Sequence, residues 1–260
     1  MSDVGSKTDI GTDAMAQARA AMAIEMPKRF YKQVETKKAE GGFQILLDGR
    51  RAKTPAKTPY SLPHEGLAAD MAKEWSAQET HILSATMPLT RLVNSAMDNV
   101  GQNRAGVIDE IVGYAETDML FYRVESPVEL VGLQKTAWDS VLELFAGEMS
   151  AVFTITEGIA HVKQPNESVS IIRQYVEKTD EFTLAAIATL TNLTGSVLLP
   201  VAFRLGWIDQ VALQQAAHVD EDWQISQWGP DDEAEARRAY RIHEMAVACR
   251  LIGQLIEKAD

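Results

Sequence analysis

The spacing of hydrophobic and polar residues changes once along the chain. From Arg29 to Lys53, aromatic and β-branched residues mix with charged ones, as in the string RFYKQVE, and this mixture is typical of strands. The string FQILLDGRRAK then places Asp48 and Gly49 between two such runs, and an Asp-Gly pair favours a two-residue hairpin turn with positive φ angles. The pattern predicts a small antiparallel sheet in this part of the chain.

Beyond Pro63 the hydrophobic period becomes that of helices. The first predicted helix covers about residues 64–78 and has one apolar and one charged face. The apolar face is Leu67, Met71 and Trp75, and the charged face is Asp70, Lys73 and Glu74. After Pro88 helical stripes follow almost without a break, and residues 152–156 are a short β-rich exception. The stripes are Val107, Ile108, Ile111, Val112, Ala115; Trp138, Val141, Leu142, Phe145; Val169, Ile172, Val176; and Ala239, Ile242, Ala246, Cys249, Gly253, Ile256.

These patterns predict an α+β fold class with two domains. A small β-rich N-terminal domain covers residues 27–90, and a larger α-helical C-terminal domain covers residues 91–260, with the boundary somewhere between 80 and 109. The first 26 residues lack the apolar core of a secretory signal and carry four acids, which transit peptides avoid. We therefore predict that residues 1–26 form a disordered tail.

The longest apolar stretch, Leu184–Leu205, is long enough to cross a bilayer. It also contains three threonines together with Asn192, Ser196 and Pro200, which are unfavourable in a lipid-exposed span. The stretch predicts a buried helical hairpin or a pair of core helices, and no stable membrane insertion.

Charge is unevenly distributed over a chain whose net charge is -12. Residues 27–63 hold nine basic and three acidic side chains, a net charge of +6, whereas residues 64–260 hold thirty acids and fourteen bases, a net charge of -16. The overall acidity argues against non-specific binding to nucleic acid or anionic membranes. The basic stretch has two interpretations: solvated strand faces whose lysines protect sheet edges, or a surface that holds an acidic partner.

Motifs with known chemistry are missing from the sequence. It contains no glycine-rich dinucleotide or phosphate loop, no H-E-x-x-H and no G-x-S-x-G, and its five histidines are scattered without metal-ligand spacing. Cys249 is the single cysteine, so the chain cannot form an internal disulfide, and its place on an apolar stripe predicts a buried, unreactive thiol. We predict no cofactor and no metal, and an enzyme with a site between the two domains stays an alternative.

The segment 212–228 carries the main candidate surface. As one helix it would turn an apolar stripe to the core and a polar stripe outward. The apolar stripe is Ala212, Ala216, Val219 and Trp223, and the polar stripe is Gln214, His218, Glu221, Gln224 or Ile225, and Trp228. The polar stripe is either a solvated face with Trp228 tucked into the next turn, or a contact face for a partner. The neighbouring acids Asp231, Asp232 and Glu233 follow Gly229-Pro230 and predict the capped start of the last helix.

Several strings together resemble the ATP-twelve family of assembly chaperones. In chain order they are KRFYKQVE, LLDGRRAKTPAKTPYSLP, LAADMAKEWSAQE, MPLTRLVNSAMD, YAETDMLFYR, WDSVLELF and DEDWQISQWGPDDEAEAR. The resemblance covers residues from about 28 to 258. It implies a two-domain chaperone without catalysis that binds the unassembled alpha subunit of the F-type ATP synthase and needs no nucleotide. Because residues 1–26 lack transit-peptide character, we predict a bacterial member of the cytoplasm, and we predict a monomer. The resemblance places eukaryotic relatives in the mitochondrial matrix.

The resemblance also singles out side chains. The family's D-E-x-W-Q segment, which contains an acid regarded as important, matches Asp220, Glu221, Trp223 and Gln224, and Glu221 is the first candidate because it lies on the outward stripe. The family positions Trp75 and Arg91 are assigned differently: Trp75 to packing, and Arg91 either to a carboxylate across the domain boundary or to a partner. The predicted partner-binding residues are Glu221, Gln224, His218, Trp228, Asp222 and Arg91.

Overall fold

The structure, a computed structural model, describes residues 27–256. The predicted tail, residues 1–26, lies outside the described residues, as do residues 257–260. Within the described part the fold is mixed, with small sheets near the N-terminus and helices over most of the rest. The α+β class is therefore confirmed.

The predicted antiparallel sheet forms within the predicted stretch, but residues 29–33 of the string RFYKQVE lie outside its strands. Its antiparallel strands, in the order β1-β2-β3, are β1 (Val34–Ala39), β2 (Gly42–Leu47) and β3 (Arg50–Arg51). Asp48 and Gly49 form the predicted turn with φ angles of 48° and 76°. The Asp48 carboxylate also accepts hydrogen bonds from the backbone N–H of Gln33 (2.8 Å) and of Lys32, and these bonds lower the pKa of Asp48. The turn is thereby fixed to the chain just before β1.

Ten helices follow the sheet within residues 27–256. They are α1 (Glu65–Ser76), α2 (Pro88–Asn94), α3 (Gly101–Thr117), α4 (Val128–Met149), α5 (Asn166–Glu177), α6 (Glu181–Thr194), α7 (Leu198–Arg204), α8 (Gln210–Ala217), α9 (Val219–Trp228) and α10 (Asp232–Ile256). A π-helical turn, Ser95–Val100, joins α2 to α3. The apolar stripes predicted for α1 and α3 are buried.

Helix α6 forms the centre of the helical core. It contacts α2, α3, α7 and α10 as well as the π-helical turn, and nine of its fourteen residues are buried. The stretch 184–205 thus contains two core helices, α6 and α7, as predicted. Among the described residues no helix is both long enough and apolar enough to cross a membrane.

Two acids on the charged face predicted for α1 contact neighbouring helices. Both carboxylate oxygens of Glu74 accept backbone N–H groups at the start of α2, from Leu89 and Thr90 at 2.8 Å each. Asp70 pairs with Arg250 (2.7 Å) and accepts a hydrogen bond from Gln254 (2.8 Å), both on α10. These two acids therefore bind packed neighbours, because polar side chains opposite an apolar stripe can turn inward where neighbouring helices supply donors.

The apolar stripe predicted for the last helix is displaced. Ala239 is exposed, and no residue from 232 to 241 is buried. The buried positions of α10 are Met245, Ala248, Cys249, Leu251 and Ile252. The burial of Cys249 is confirmed, and it raises the pKa of the thiol to about 12. Small alanines fit either an exposed or a buried face, so their spacing did not locate the stripe.

Most residues of the β-rich run at 152–156 are not in a strand. Only β5 (Thr156–Glu157) pairs, in parallel, with β4 (Tyr122–Arg123). Just before it, the Gln164 side chain accepts from the Thr154 N–H (2.8 Å) and donates to the Thr154 carbonyl oxygen (2.9 Å). The Gln164 amide therefore makes the backbone hydrogen bonds that a neighbouring strand would otherwise make.

Hydrogen bonds cross the predicted domain boundary. The Tyr60 hydroxyl donates to Asn94 Oδ1 (2.7 Å) and the Thr54 hydroxyl donates to Asp98 Oδ1 (2.6 Å). They join the chain after the sheet to α2 and the π-helical turn. The division at 27–90 and 91–260 stays a prediction.

Candidate functional site

The segment 212–228 is two helices. The helix is interrupted at His218, which lies between α8 and α9 with a φ angle of -119° and a ψ angle of 14°. The His218 side chain is only 4% exposed, and its Nδ1 lies 2.7 Å from the carbonyl oxygen of Gln214. The prediction of one continuous helix with His218 on its exposed face was therefore wrong. The non-helical backbone at His218 interrupts the helix, so one helical period does not describe both halves.

Two side chains of α4 form hydrogen bonds to residues on either side of the interruption at His218. The Trp138 indole N–H donates to the Ala216 carbonyl oxygen (2.8 Å). Gln134 accepts from the Val124 N–H (3.0 Å) and donates to Asp220 Oδ1 (2.8 Å). The first carboxylate of the D-E-x-W-Q segment is thus held by a buried glutamine of α4.

The inward side of α9 is as predicted. Val219 is buried and Trp223 is half-buried against the core. The ring of Trp223 meets that of Trp228 edge to face, with centroids 5.5 Å apart. Trp228 itself is 74% exposed. The interpretation that Trp228 is tucked into the next turn is therefore wrong: one edge contact holds the ring while most of it faces solvent.

Two ion pairs join α9 to α10. Glu221 pairs with Arg241 at 2.5 Å, and Asp222 pairs with Arg238. The side chains of Glu221 and Arg241 are about one-third exposed, at 28% and 32%. Asp231 accepts from the Ala234 N–H (2.9 Å), which confirms the predicted capped start of α10. The pairing sets the two helices at a fixed separation and leaves a groove between them.

We call this feature the α9/α10 groove. It is lined by acidic, basic and apolar side chains together. The lining residues are Asp220, Glu221, Gln224, Ile225, Trp228, Gly229, Asp231, Ala234, Arg237 and Arg241. The groove thus brings Glu221, Gln224 and Trp228 together. Asp222 lines a separate cavity with residues of α4 and α8, and His218 is buried.

Arg91 has a carboxylate partner within the chain. Its guanidinium contacts Glu244 Oε1 at 2.6 Å, and Arg91 also donates to the carbonyl oxygen of Ser84. The hydroxyl of the exposed Tyr240 lies 3.4 Å from the same guanidinium. Of the two options left by the sequence, pairing with a carboxylate is the one that the structure contains.

The arginines of α10 were missed by the sequence interpretation. Arg237, Arg238 and Arg241 all face α9 or its groove. A signal was present, because their spacing of one, three and four residues places them on one side of a helix. It pointed to no particular partner, since the acids of α9 precede the arginines by 15 to 21 residues, with a loop between the two helices.

Groups with raised pKa values lie elsewhere and serve the fold. Burial raises the pKa of Glu74 and raises that of Asp118 to about 6, while backbone N–H donors oppose both shifts. Among residues 27–256, no group of three or more His, Cys, Asp or Glu side chains is arranged to hold a metal ion.

Comparisons with known proteins identify the family. The family model described as ATP12 chaperone protein matches residues 28–146. The crystal structure of Atp12 from Paracoccus denitrificans is 37% identical in sequence, has a TM-score of 0.81, and is matched over 88% of this chain and 98% of that chain. The chain belongs to the ATP12 family. The ATP12 family fold therefore extends well past the matched segment and includes the helices beyond it.

Two further relatives agree with this ATP12 assignment. The Agrobacterium tumefaciens protein Atu1473, described as a candidate chaperone, is 37% identical, has a TM-score of 0.84 and is matched over 96% of this chain and 92% of its own. "Protein atp12, mitochondrial" of Schizosaccharomyces pombe is 26% identical over 255 residues, 92% of this chain and 87% of that protein. As an ATP12 family member, the chain is a chaperone of ATP synthase assembly.

Proposed function

We propose that this ATP12 family member binds the unassembled alpha subunit of the F-type ATP synthase catalytic sector through the α9/α10 groove and releases it as assembly proceeds. One observation carries the assignment to this groove: Trp228 is largely exposed at its edge, beside the Glu221–Arg241 ion pair. A tryptophan held in place but not buried, with charged groups around it, has the composition of an interface anchor.

The proposed action is equilibrium binding without catalysis. A protein that binds only the unassembled form of its client stabilises that form by mass action, and the stabilisation grows with chaperone concentration. The client then passes to its assembly partner when that partner binds it more strongly. We propose a monomeric chaperone of the bacterial cytoplasm that uses neither nucleotide nor metal.

The first experiment tests the client. Purified chain is mixed with isolated alpha subunit without nucleotide, and complex formation and light scattering by aggregated alpha subunit are measured. We expect a complex and reduced scattering. If the chain neither binds alpha subunit nor lowers its aggregation, the proposed client is wrong.

The second experiment tests the groove with Trp228→Ala. Because this ring is mostly exposed, its removal should leave the fold intact while weakening alpha-subunit binding about tenfold or more, as truncation of an interface tryptophan does. The exposed Tyr240→Ala on α10 is the matched control for loss of an aromatic surface. Unchanged affinity for Trp228→Ala would move the contact away from this groove.

A charge swap distinguishes two roles for Glu221. Glu221→Lys faces Arg241 with a like charge, so it should weaken both the α9–α10 contact and client binding. The double variant Glu221→Arg with Arg241→Glu restores an ion pair in the opposite sense. We expect the swap to restore thermal stability but not client binding, because the client meets Glu221 itself. Recovery of binding in the swap would instead mean that Glu221 only positions the helices.

Glu177→Lys serves as the control for the charge change. Glu177 is a half-exposed glutamate that also faces an arginine of its own helix, Arg173, at 3.8 Å. The change in net charge is the same as in Glu221→Lys, but it lies on α5. We expect client affinity within about twofold of the wild type, since exposed pairs contribute little.

A further inference from the structure

Within residues 27–256, the basic side chains of the 27–63 stretch form no salt bridge with a carboxylate, whereas most of those beyond residue 63 do. Among residues 27–256, eight cations form ion pairs, and all eight lie beyond residue 63. None of the nine basic residues of the 27–63 stretch has a carboxylate within salt-bridge distance in the described structure. Unpaired cations in an acidic chain are a surface available to an external anion.

Three of these unpaired cations surround one groove. Arg50 and Arg51 form β3, Lys53 follows it, and all three are exposed. The groove that they line measures about 610 Å³, and aromatic rings form its other wall. We call it the basic groove. Its aromatic residues are Phe30, Tyr31 and Trp75. One acid, Asp48, also lines it, so the lining carries a net charge of +2 from three cations and one anion.

Phe30 gives the basic groove an apolar contact point. Its side chain is 71% exposed, and its ring meets that of the buried Tyr31 edge to face at 5.3 Å. The Tyr31 ring in turn lies 5.7 Å from that of Trp75, and its hydroxyl donates to the Trp75 carbonyl oxygen (2.8 Å). Arg29 fixes this segment further through hydrogen bonds to backbone carbonyl oxygens, including that of Gln78. Phe30 is thus an exposed ring on a rigid support.

We propose that the basic groove binds an acidic protein segment with an apolar or aromatic side chain, its carboxylates on Arg50, Arg51 and Lys53 and its apolar side chain on Phe30. Guanidinium groups favour carboxylates through paired hydrogen bonds, and an exposed aromatic ring beside them supplies the apolar contact. This surface shares no lining residue with the α9/α10 groove, so the proposal goes beyond the proposed function.

An acidic protein segment fits better than a nucleic acid. Residues 64–260 carry a net charge of -16, and a nucleic acid has charge along its whole length, so its flanking phosphates would meet this repulsion. An acidic segment concentrates its charge over a few residues and matches the small basic area. The lone Asp48 carboxylate, which is bound to backbone N–H groups, leaves the three cations in excess.

The test uses a short fluorescein-labelled peptide in which one phenylalanine is flanked by aspartates and glutamates, with fluorescence anisotropy on the full chain. A second peptide has asparagine and glutamine in place of the acids. We expect binding of the acidic peptide that weakens as salt rises, and no binding of the amide peptide. Absence of binding by the acidic peptide, or equal binding of both, would overturn the proposal.

Two double variants with the same charge change provide the matched comparison. The double variant Arg50→Glu with Arg51→Glu reverses two positive charges that line the basic groove. The double variant Lys37→Glu with Lys38→Glu reverses the charges of two exposed lysines of β1 that form no salt bridge in the described structure and do not line the groove. We expect the first to weaken peptide binding about tenfold or more and the second about twofold or less. Equal weakening would mean attraction to net charge alone and would overturn the groove assignment.

Phe30→Ala keeps the charge and removes the exposed ring, so it remains informative if the arginine variant unfolds. We expect about threefold or greater loss of affinity, with an unchanged thermal midpoint. Competition by a single-stranded oligonucleotide at a lower concentration than the unlabelled acidic peptide would overturn the choice of partner class. The peptide assay needs no alpha subunit, so its result is independent of the proposed client.

Discussion

Asp118 is the most buried ionisable group with a defined structural task. Its carboxylate accepts hydrogen bonds from the backbone N–H groups of Leu120 (3.1 Å), Val197 (2.8 Å) and Leu198 (3.1 Å), and from the Ser196 hydroxyl (2.8 Å). It therefore closes the turn after α3 and caps the start of α7. All four donors come from groups that do not titrate, so the carboxyl itself determines the pH dependence of this contact.

This environment predicts a specific pH dependence. Burial raises the pKa of Asp118 from 3.8 to about 6, so the folded state keeps its proton over a range where the unfolded chain has lost it. Stability from this group is fully present below pH 3.8 and is lost as the pH rises to about 6, by about 3 kcal/mol. Urea unfolding of wild type and Asp118→Asn should therefore show a difference in free energy that falls over this interval. Parallel curves for the two proteins would contradict the prediction.

The Cys249 thiol should be unreactive in the folded protein. Burial raises its thiol pKa from 9.0 to about 12, which lowers the thiolate fraction at neutral pH about a thousandfold. We expect Ellman's reagent at about pH 8 to react at least about a hundredfold more slowly with the native protein than with protein in urea. Rapid, complete labelling of the native thiol would show that this part of α10 opens readily.

At the scale of elements, Glu74 links one helix to the start of the next. Because its two oxygens accept the N–H groups of Leu89 and Thr90, Glu74→Ala leaves two donors of α2 without their acceptor. We expect a loss of about 1–3 kcal/mol in the free energy of unfolding, measured with urea. Lys73→Ala, beside it on α1 but 75% exposed, should cost about 0.5 kcal/mol or less. If the two variants lost equal free energies of unfolding, Glu74 would not act as a cap for α2.

The break between α8 and α9 shows how an element boundary alters a predicted surface. The outward direction of Glu221 and Trp228 was predicted by treating the segment as one helix, and His218 belonged to the same stripe. The backbone at His218 is non-helical and its side chain is buried, so the helical period of α8 does not continue into α9. The ion pairs to Arg238 and Arg241 then place α9 against α10, and these contacts lie outside any single-helix period.

Across the whole molecule, α10 connects the last described residues to helices α1 and α2. Arg250 and Gln254 of α10 both contact Asp70 of α1, and Glu244 contacts Arg91 of α2. Burial opposes ionisation of Asp70, but Lys73, Gln254 and Arg250 outweigh it and lower its pKa. The last helix therefore holds together elements on both sides of the predicted domain boundary.

A double-mutant cycle measures this long-range link. Asp70→Asn, Arg250→Ala and the double variant should give a coupling of about 0.5–1 kcal/mol in urea unfolding, because Arg250 is 63% exposed while Asp70 is mostly buried. The coupling should shrink in about 0.5 M salt as screening increases. A coupling of zero at low salt would mean that α10 is held to α1 by apolar packing alone.

Short-range patterns in the sequence account for the local features of this protein. The Asp48-Gly49 hairpin, the apolar faces of α1 and α3, the core helices of the 184–205 stretch and the buried Cys249 all result from short-range periodicity and turn chemistry. The uneven charge is also a property of the sequence alone. The ordered strings of the ATP12 family were present in the sequence as well, and they carried the functional assignment before any geometry was known.

The partners of the polar side chains depend on the tertiary structure. A helical period shows which face is apolar, but it cannot show whether the opposite face meets water or another element. Asp70 and Glu74 turned out to bind packed neighbours, His218 to be buried, and Glu221 to pair with an arginine twenty residues later. The unpaired cations of the basic groove became evident in the same way, since the absence of a partner depends on every element that packs nearby.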